Sequence, residues 1–150
     1  MSKANAVGPG GRTGEEENLN EDAAELKFPK EFTGQGCDAL MTSEVFLLLD
    51  HRREQSKQKE EIEEFSDVFT NTLQYTQRLS KFKSRETIRA VRALFTDKYF
   101  LDKYEIAQIA NLCPESAEEA KALIPSLGSK LTDEELDEIL TEISAKRSFQ

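Results

Sequence analysis

Residues 111–127 read NLCPESAEEAKALIPSL, in which two prolines bracket a short run of helix-forming residues. Pro114 lacks a backbone N–H and disfavours helical backbone at the preceding residue, so it ends one helix. Ser116 and Glu119 have the spacing of a capping box, in which the serine oxygen accepts a backbone N–H and the glutamate bonds back to the serine N–H. The new helix is predicted to end at Pro125. Because so short a helix is marginal alone, neighbouring helices must stabilise it.

On both sides of this segment the apolar residues recur at three- and four-residue steps, without a convincing alternating strand pattern. The first predicted helix begins at residue 42 and ends in the polar stretch 54–61. The other predicted helices cover residues 62–79, 84–95, 102–113, 116–124 and 132–146. The pairs Asp102/Glu105 and Thr132/Glu135 repeat the capping-box spacing. The sequence therefore predicts an all-α fold, a helical bundle over residues 42–150.

The N-terminal part differs in composition. Residues 1–25 contain four of the seven glycines followed by an acidic run, and we expect a disordered tail because such a segment buries too little apolar surface. Residues 26–41 are predicted to form an extended arm, since Phe28 and Phe32 flank Pro29 and need cover from this domain or from another chain. Strand addition to a partner is one hypothesis for the arm.

Length and charge limit the function. A chain of 150 residues favours a single domain, and its net charge of −9 argues against wrapping of duplex DNA, which requires many cationic side chains. The sequence contains neither a long apolar run nor a secretory signal, and Cys37 and Cys113 stand apart from other metal-ligand residues. We expect a soluble intracellular protein without a membrane span.

Candidate chemistry is sparse. His51 is the single histidine, beside two arginines, and we interpret it as a surface or helix-capping residue. The glycine-rich residues 8–14 lack the strand and the GK[ST] pattern of a phosphate-binding loop, so we interpret them as flexible. The sequence predicts no catalytic residue, no cofactor and no metal site.

Two features of the helices indicate contact with other molecules. Arg85, Arg89 and Arg92 share one helical face, which would pair with acidic protein surfaces or, as the less favoured interpretation, contact RNA. Residues 47–49 are three consecutive leucines, which cannot share one narrow face. The first helix, with Val45, Leu48 and Leu49 predicted to point inward, therefore needs apolar cover on two sides, from its own bundle or from a partner.

Several segments resemble one protein family in the same order along the chain. They are IANLCPESAEEAKALIPSL at 109–127, FPKEF at 28–32, SEVFLLLDHR at 43–52 and KRSF at 146–149. Residues 26–150 are similar to the fourth subunit of eukaryotic RNA polymerase II, a family that has a counterpart in the archaeal polymerase. The resemblance implies a non-catalytic nuclear protein whose residues from about 82 to 149 have an HRDC-like fold. Residues 111–127 are expected to be chiefly structural, so that substitution of Pro114 or Leu123 lowers thermal stability more than binding.

The resemblance also implies partners. Members of this family form a stalk heterodimer with the seventh polymerase subunit, which carries an OB-type RNA-binding barrel, beside the RNA exit path. The other implied partners are the core polymerase subunits, with nascent RNA contacted weakly and mainly through the seventh subunit. The residues expected to contact the heterodimer partner are Phe28, Pro29, Phe32, Val45, Leu48 and Leu49.

Other functions remain open at this point. An acidic helical adaptor that binds a basic protein such as a histone would account for the net charge but not for the FPKEF arm. The resemblance also fits the equivalent subunit of a specialised polymerase. An RNA-binding protein in its own right would depend on the arginines of residues 78–92 and on strong salt dependence.

Overall fold

The structure, a computed structural model, describes residues 21–34, 36–59 and 65–150. Within these residues it is all-α, which confirms the predicted fold class, and the one β-type contact is an isolated bridge between Asp22 and Lys27. The chain divides into two units, Met1–Cys37 and Asp38–Gln150. The predicted disorder of residues 1–20 and the predicted helical position of Ile62 both lie outside the described residues.

The first unit contains two short turns of helix. Ala23–Glu25 forms a 3-10 helix in the segment that we expected to belong to the disordered tail. Lys30–Thr33 forms a one-turn helix, α1, which differs from the extended chain that we predicted around Pro29. Pro29 permits this turn because its φ of −55° is the ordinary proline value and its carbonyl accepts the N–H of Phe32 at 2.9 Å. Pro29 is the N-cap residue of this helix.

The second unit holds the remaining helices. They are α2 (Thr42–Gln58), α3 (Asp67–Leu79), α4 (Arg85–Ala93), α5 (Lys103–Leu112), α6 (Ala117–Leu123), a 3-10 helix (Pro125–Ser129) and α7 (Asp133–Ser148). The capping boxes predicted before α5 and α7 are both present, with Asp102 and Thr132 as the N-caps. Ser84 caps α4 as predicted, by accepting the N–H of Thr87 at 3.2 Å. Local sequence signals therefore located most of the helix starts.

Helix α5 ends as Pro114 predicts, but the backbone reverses one residue earlier. Cys113 has a φ of 43°, in the left-handed region, and its N–H donates to the carbonyl of Ile109 at 3.0 Å. Pro114 follows in a buried position. A left-handed residue with this bonding is a common helix C-cap, although glycine usually occupies it.

The capping of α6 differs from the prediction in one half. Ser116 Oγ accepts the N–H of Glu119 at 3.2 Å, as expected. Glu119 Oε2 accepts from the N–H of Glu115 at 2.9 Å, whereas the capping box requires the N–H of Ser116. The glutamate therefore accepts the N–H of the residue before the cap.

The core of the second unit lies between α4, α5, α6 and α7, and α2 packs against both α3 and α4. Its large buried apolar side chains are Met41, Phe82, Ile88, Val91, Phe95, Leu101, Ile109, Ile124, Leu127, Leu131, Leu136, Ile139, Leu140 and Ile143. Leu127 is 0% exposed, whereas Leu123, which we expected to support stability, is 50% exposed. Leu123 therefore lies outside the core, since α6 packs through Ala117 and Ala120.

One carboxylate is buried within this core. Glu105 is 0% exposed, and its oxygens accept from the Asp102 N–H at 2.7 Å, from Ser126 Oγ at 2.6 Å and from Lys130 Nζ at 2.5 Å. A buried charge is tolerated only when it is paired and hydrogen-bonded. The sequence predicted the bond to Asp102. The tertiary structure adds the bonds from Ser126 and Lys130, which join α5 to the 3-10 helix Pro125–Ser129 and to the residue that follows it. In the described residues, no helix is long and apolar enough to cross a membrane.

Candidate partner-binding site

The arm residues that we expected to contact a partner differ in exposure. Phe32 is 71% exposed, while Phe28 and Pro29 are partly buried within the structure. The turn is held locally, because the Cys37 thiol donates to the carbonyl of Glu31 at 2.9 Å. The first unit therefore presents one large aromatic side chain, Phe32, to solvent.

The predicted contact residues of α2, which share one face of the helix at i, i+3 and i+4 spacing, differ in exposure. Leu48 is 55% exposed, whereas Val45 and Leu49 are partly buried. Leu47, which was not among the residues predicted to point inward, packs against the core. The inward position predicted for Leu48 is therefore wrong within this chain. Successive side chains of an α-helix point about 100° apart around the helix axis, so three adjacent leucines face different directions. The position of α4 therefore decides which of them is covered.

Two polar contacts fix the start of α2. Ser43 is 2% exposed, and its Oγ accepts the backbone N–H groups of Lys81 and Phe82 at 3.0 and 3.1 Å. The N–H of Thr42 donates to Asn111 Oδ1 at 2.9 Å. These bonds join α2 to the α3–α4 connection and to the end of α5. Sequence reasoning missed both, since the partners lie about 40 and 70 residues away in the chain.

The predicted arginine stripe on α4 divides into two parts. Arg92 donates to both oxygens of Glu44, with an Nε–Oε2 distance of 3.0 Å, and to the carbonyl of Ala39 at 3.2 Å. The bond to Glu44 raises the pKa of Arg92. Glu44 also accepts the N–H of Met41 at 2.8 Å, so its charge is fully engaged within the chain. Arg85 and Arg89 remain exposed.

An open groove of about 370 Å³ runs between α2 and α4. Its lining residues are Leu40, Glu44, Leu47, Leu48, Arg85, Ile88 and Arg89. It brings together members of two predicted sets, Leu48 from the partner-contact residues and Arg85 and Arg89 from the basic stripe. Leu40, which is 45% exposed, was not predicted. The sequence signal that could have identified Leu40 was its position as a large apolar residue just before the start of a helix.

A second cavity, of about 380 Å³, lies between the α5–α6 connection and α7, where Cys113 and Arg147 contribute to its lining. Burial raises the pKa of the Cys113 thiol, and the thiol donates to the carbonyl of Ala110 at 3.1 Å. The protonated thiol is a poor nucleophile. Among the described residues, no group of three His, Cys, Asp or Glu side chains is placed to hold a metal ion. His51 lies exposed on α2.

Comparison with known proteins gives a consistent picture. The sequence profile of the family described as RNA polymerase Rpb4 matches residues 39–147. The chain is 39% identical over 143 residues to DNA-directed RNA polymerase II subunit 4 of Arabidopsis thaliana, an alignment covering 92% of this chain and 99% of the relative. It is 38% identical over 144 residues to the subunit rpb4 of Dictyostelium discoideum, with coverage of 86% and 90%. For the subunit rpb4 of Schizosaccharomyces pombe, the identity is 37% over 133 residues, with coverage of 88% and 96%.

Proposed function

The chain belongs to the RNA polymerase Rpb4 family, and we propose that it is a non-catalytic subunit of RNA polymerase II that forms a heterodimer with the seventh subunit. The observation that carries this proposal is the near full-length match to proteins named as the fourth subunit of that enzyme. The partner is an OB-fold protein, and the pair lies beside the RNA exit path. The protein acts in the nucleus.

The exposed apolar side chains support a heterodimer. Phe32 is 71% exposed and Leu48 is 55% exposed. Burial of such side chains in an interface is favourable by roughly 25 cal/mol per Å² of apolar surface, before the cost of association. On α2, Val45 and Leu49 are partly exposed and lie one turn or less from Leu48. These residues, with Phe28 and Pro29, are the proposed contact set for the seventh subunit.

The negative charge of the chain supports different roles for the two subunits of the heterodimer, with RNA contact assigned to the partner. With a net charge of −9, the isolated chain repels the phosphates of RNA. We assign contact with nascent RNA to the OB-fold partner, because base stacking and cationic grooves are the usual means of single-strand binding by that fold. This chain then serves as the helical scaffold, and the HRDC-like character of residues 82–149 stays a prediction.

Affinity purification of the tagged full-length chain from its native cell extract, followed by mass spectrometry, tests the assignment. We expect a stoichiometric OB-fold protein together with the large subunits of RNA polymerase II. Recovery of the large subunits of another polymerase would identify a specialised enzyme instead. Histones or other basic proteins without any polymerase subunit would contradict the proposal and favour the acidic adaptor.

The contact set is tested by the double substitution Phe28→Ala and Phe32→Ala. We expect the affinity for the purified seventh subunit to fall at least about tenfold, because buried aromatic anchors carry much of the binding energy in interfaces. The helical content measured by circular dichroism should stay unchanged. The matched control is Tyr99→Ala, which removes another aromatic side chain that is 92% exposed. Unchanged affinity in the double variant would remove the arm from the interface.

A further inference from the structure

The apolar groove between α2 and α4 has exposed leucines at its edges and a buried isoleucine at its floor. Leu40 is 45% exposed and Leu48 is 55% exposed, while Ile88 is 4% exposed. Leu47, partly buried, completes the apolar lining. The exposed leucines and the groove floor together form an apolar surface that another molecule can cover.

The charges around the groove are positive in a chain that is strongly negative. Arg85 and Arg89 line it, are exposed, and have no ion-pair partner among the described residues. One turn further along α4, Arg92 is neutralised by Glu44. Glu44, the single acidic residue of the lining, is therefore compensated, and the guanidinium groups of Arg85 and Arg89, which pair with no carboxylate in the part of the chain that the structure describes, set the charge of the groove.

We propose that this groove binds an amphipathic helix of a partner protein that carries leucine-like side chains on one face and carboxylates along its edge. An amphipathic helix places its apolar side chains at i, i+3, i+4 and i+7 into such grooves. Arg85 and Arg89 are four residues apart on α4, so they match two carboxylates one turn apart on the bound helix. Charge complementarity selects an acidic helix over a basic one.

The lining favours a protein helix over RNA. Arginines also bind phosphates, but binding of single-stranded RNA draws much of its affinity from bases stacked on aromatic side chains. The lining residues of this groove are aliphatic or charged, without an aromatic side chain. A leucine-rich groove suits aliphatic side chains, and RNA offers none.

The proposal goes beyond the heterodimer and is testable without it. Leu48 belongs to both proposed surfaces, whereas Arg85 and Arg89 belong to the groove alone. The double substitution Arg85→Glu and Arg89→Glu therefore separates the two proposals. We expect it to leave the affinity for the seventh subunit unchanged and to weaken the binding of an acidic helix.

The binding experiment uses the full-length chain and a fluorescein-labelled peptide of about 16 residues, which is enough for four helical turns. The peptide has leucine at i, i+3, i+4 and i+7 spacing and glutamate at the flanking positions. We expect saturable fluorescence anisotropy, no binding of a matched peptide with lysine in place of glutamate, and at least about a tenfold loss of affinity in the Arg85→Glu/Arg89→Glu variant. Leu48→Ala should also weaken binding of the acidic peptide.

The matched control is Arg78→Glu, which makes the same charge change at an exposed arginine of α3 outside the groove. An equal loss per substitution in the control would show general charge attraction and overturn the proposal. Absence of saturable binding would overturn it as well. A uridine oligonucleotide of about 12 nucleotides serves as the RNA probe. If it binds with higher affinity than the acidic peptide, and the two arginines carry that binding, the groove is an RNA site.

Discussion

Two regions of the molecule contain the same residue types with different exposure. Helices α5 to α7 form the closed region, and the groove between α2 and α4 forms the open region. Leu127 and Leu136 are 0% exposed within the core, whereas Leu48 on α2 is 55% exposed beside the groove. The charged side chains differ similarly, because the buried Glu105 is paired with Lys130 while the groove arginines of α4 face solvent. In the closed region side chains stabilise the fold, and in the open region they remain available to another molecule. Substitutions should therefore separate stability from binding.

The largest expected effect is a loss of stability in the closed region. Leu127→Ala should lower the free energy of unfolding by about 2–5 kcal/mol, because it removes a fully buried side chain and leaves a cavity. Leu123→Ala, four residues earlier and 50% exposed, should cost about 0.5 kcal/mol or less. Thermal unfolding followed by circular dichroism measures both. Equal losses in the two variants would contradict the distinction between these leucines.

An intermediate effect is expected where the open region joins the rest of the bundle. Ser43→Ala should cost about 1–3 kcal/mol, since it leaves the N–H groups of Lys81 and Phe82 without their acceptor in a buried position. Urea unfolding measures the loss, and Ser144→Ala, at an exposed serine of α7, is the control. If the two variants lose the same stability, Ser43 does not anchor α2.

The smallest effect concerns the start of α7 and depends on pH. The pKa of Glu135 lies below its usual value of 4.5 because the N–H of Thr132 donates to its carboxylate. Since the folded-state pKa is depressed, the stabilisation is present above pH 4.5 and is lost as the pH falls through the folded value. Glu135→Gln keeps an acceptor oxygen but removes the charge, so it should lower the melting temperature slightly at pH 7.

The pH series provides its own control. The difference in melting temperature between Glu135→Gln and the unmodified chain should shrink as the pH falls below 4.5 and through the folded-state pKa of Glu135, because protonation removes the charge of the carboxylate. Thr132→Ala, which removes the other half of the cap, should cost about 1 kcal/mol. A difference between Glu135→Gln and the unmodified chain that does not change as the pH is lowered from 7 through the acid range would show that the charge of Glu135 does not stabilise the helix start.

Local signals allowed much of the fold to be predicted. Ser84, Asp102 and Thr132 were expected to start helices, and each caps one. Each bonds to a backbone N–H two or three residues away, so the interaction is contained in the sequence itself. Pro114 and Pro125 ended helices for a similarly local reason.

The candidate site was predicted less well. The basic stripe was found from its helical spacing, but the pairing of Arg92 with Glu44 joins residues 48 apart and was not visible. The covered leucine on α2 proved to be Leu47 and not Leu48. Residues 26–32 were identified as apolar and in need of cover, yet the helical turn Lys30–Thr33 was not foreseen.

The all-α class, most helix starts and the family could be predicted from the order of residues alone, because caps, prolines and apolar periodicity act within a few residues and motifs are contiguous. Which side chains are buried and which charges are paired became visible in the folded chain. Those outcomes depend on how α2, α4 and α7 pack, and packing brings together residues far apart in the chain. The contrast between Leu127 and Leu123, four residues apart, shows the limit, since one packs in the core and the other is half exposed.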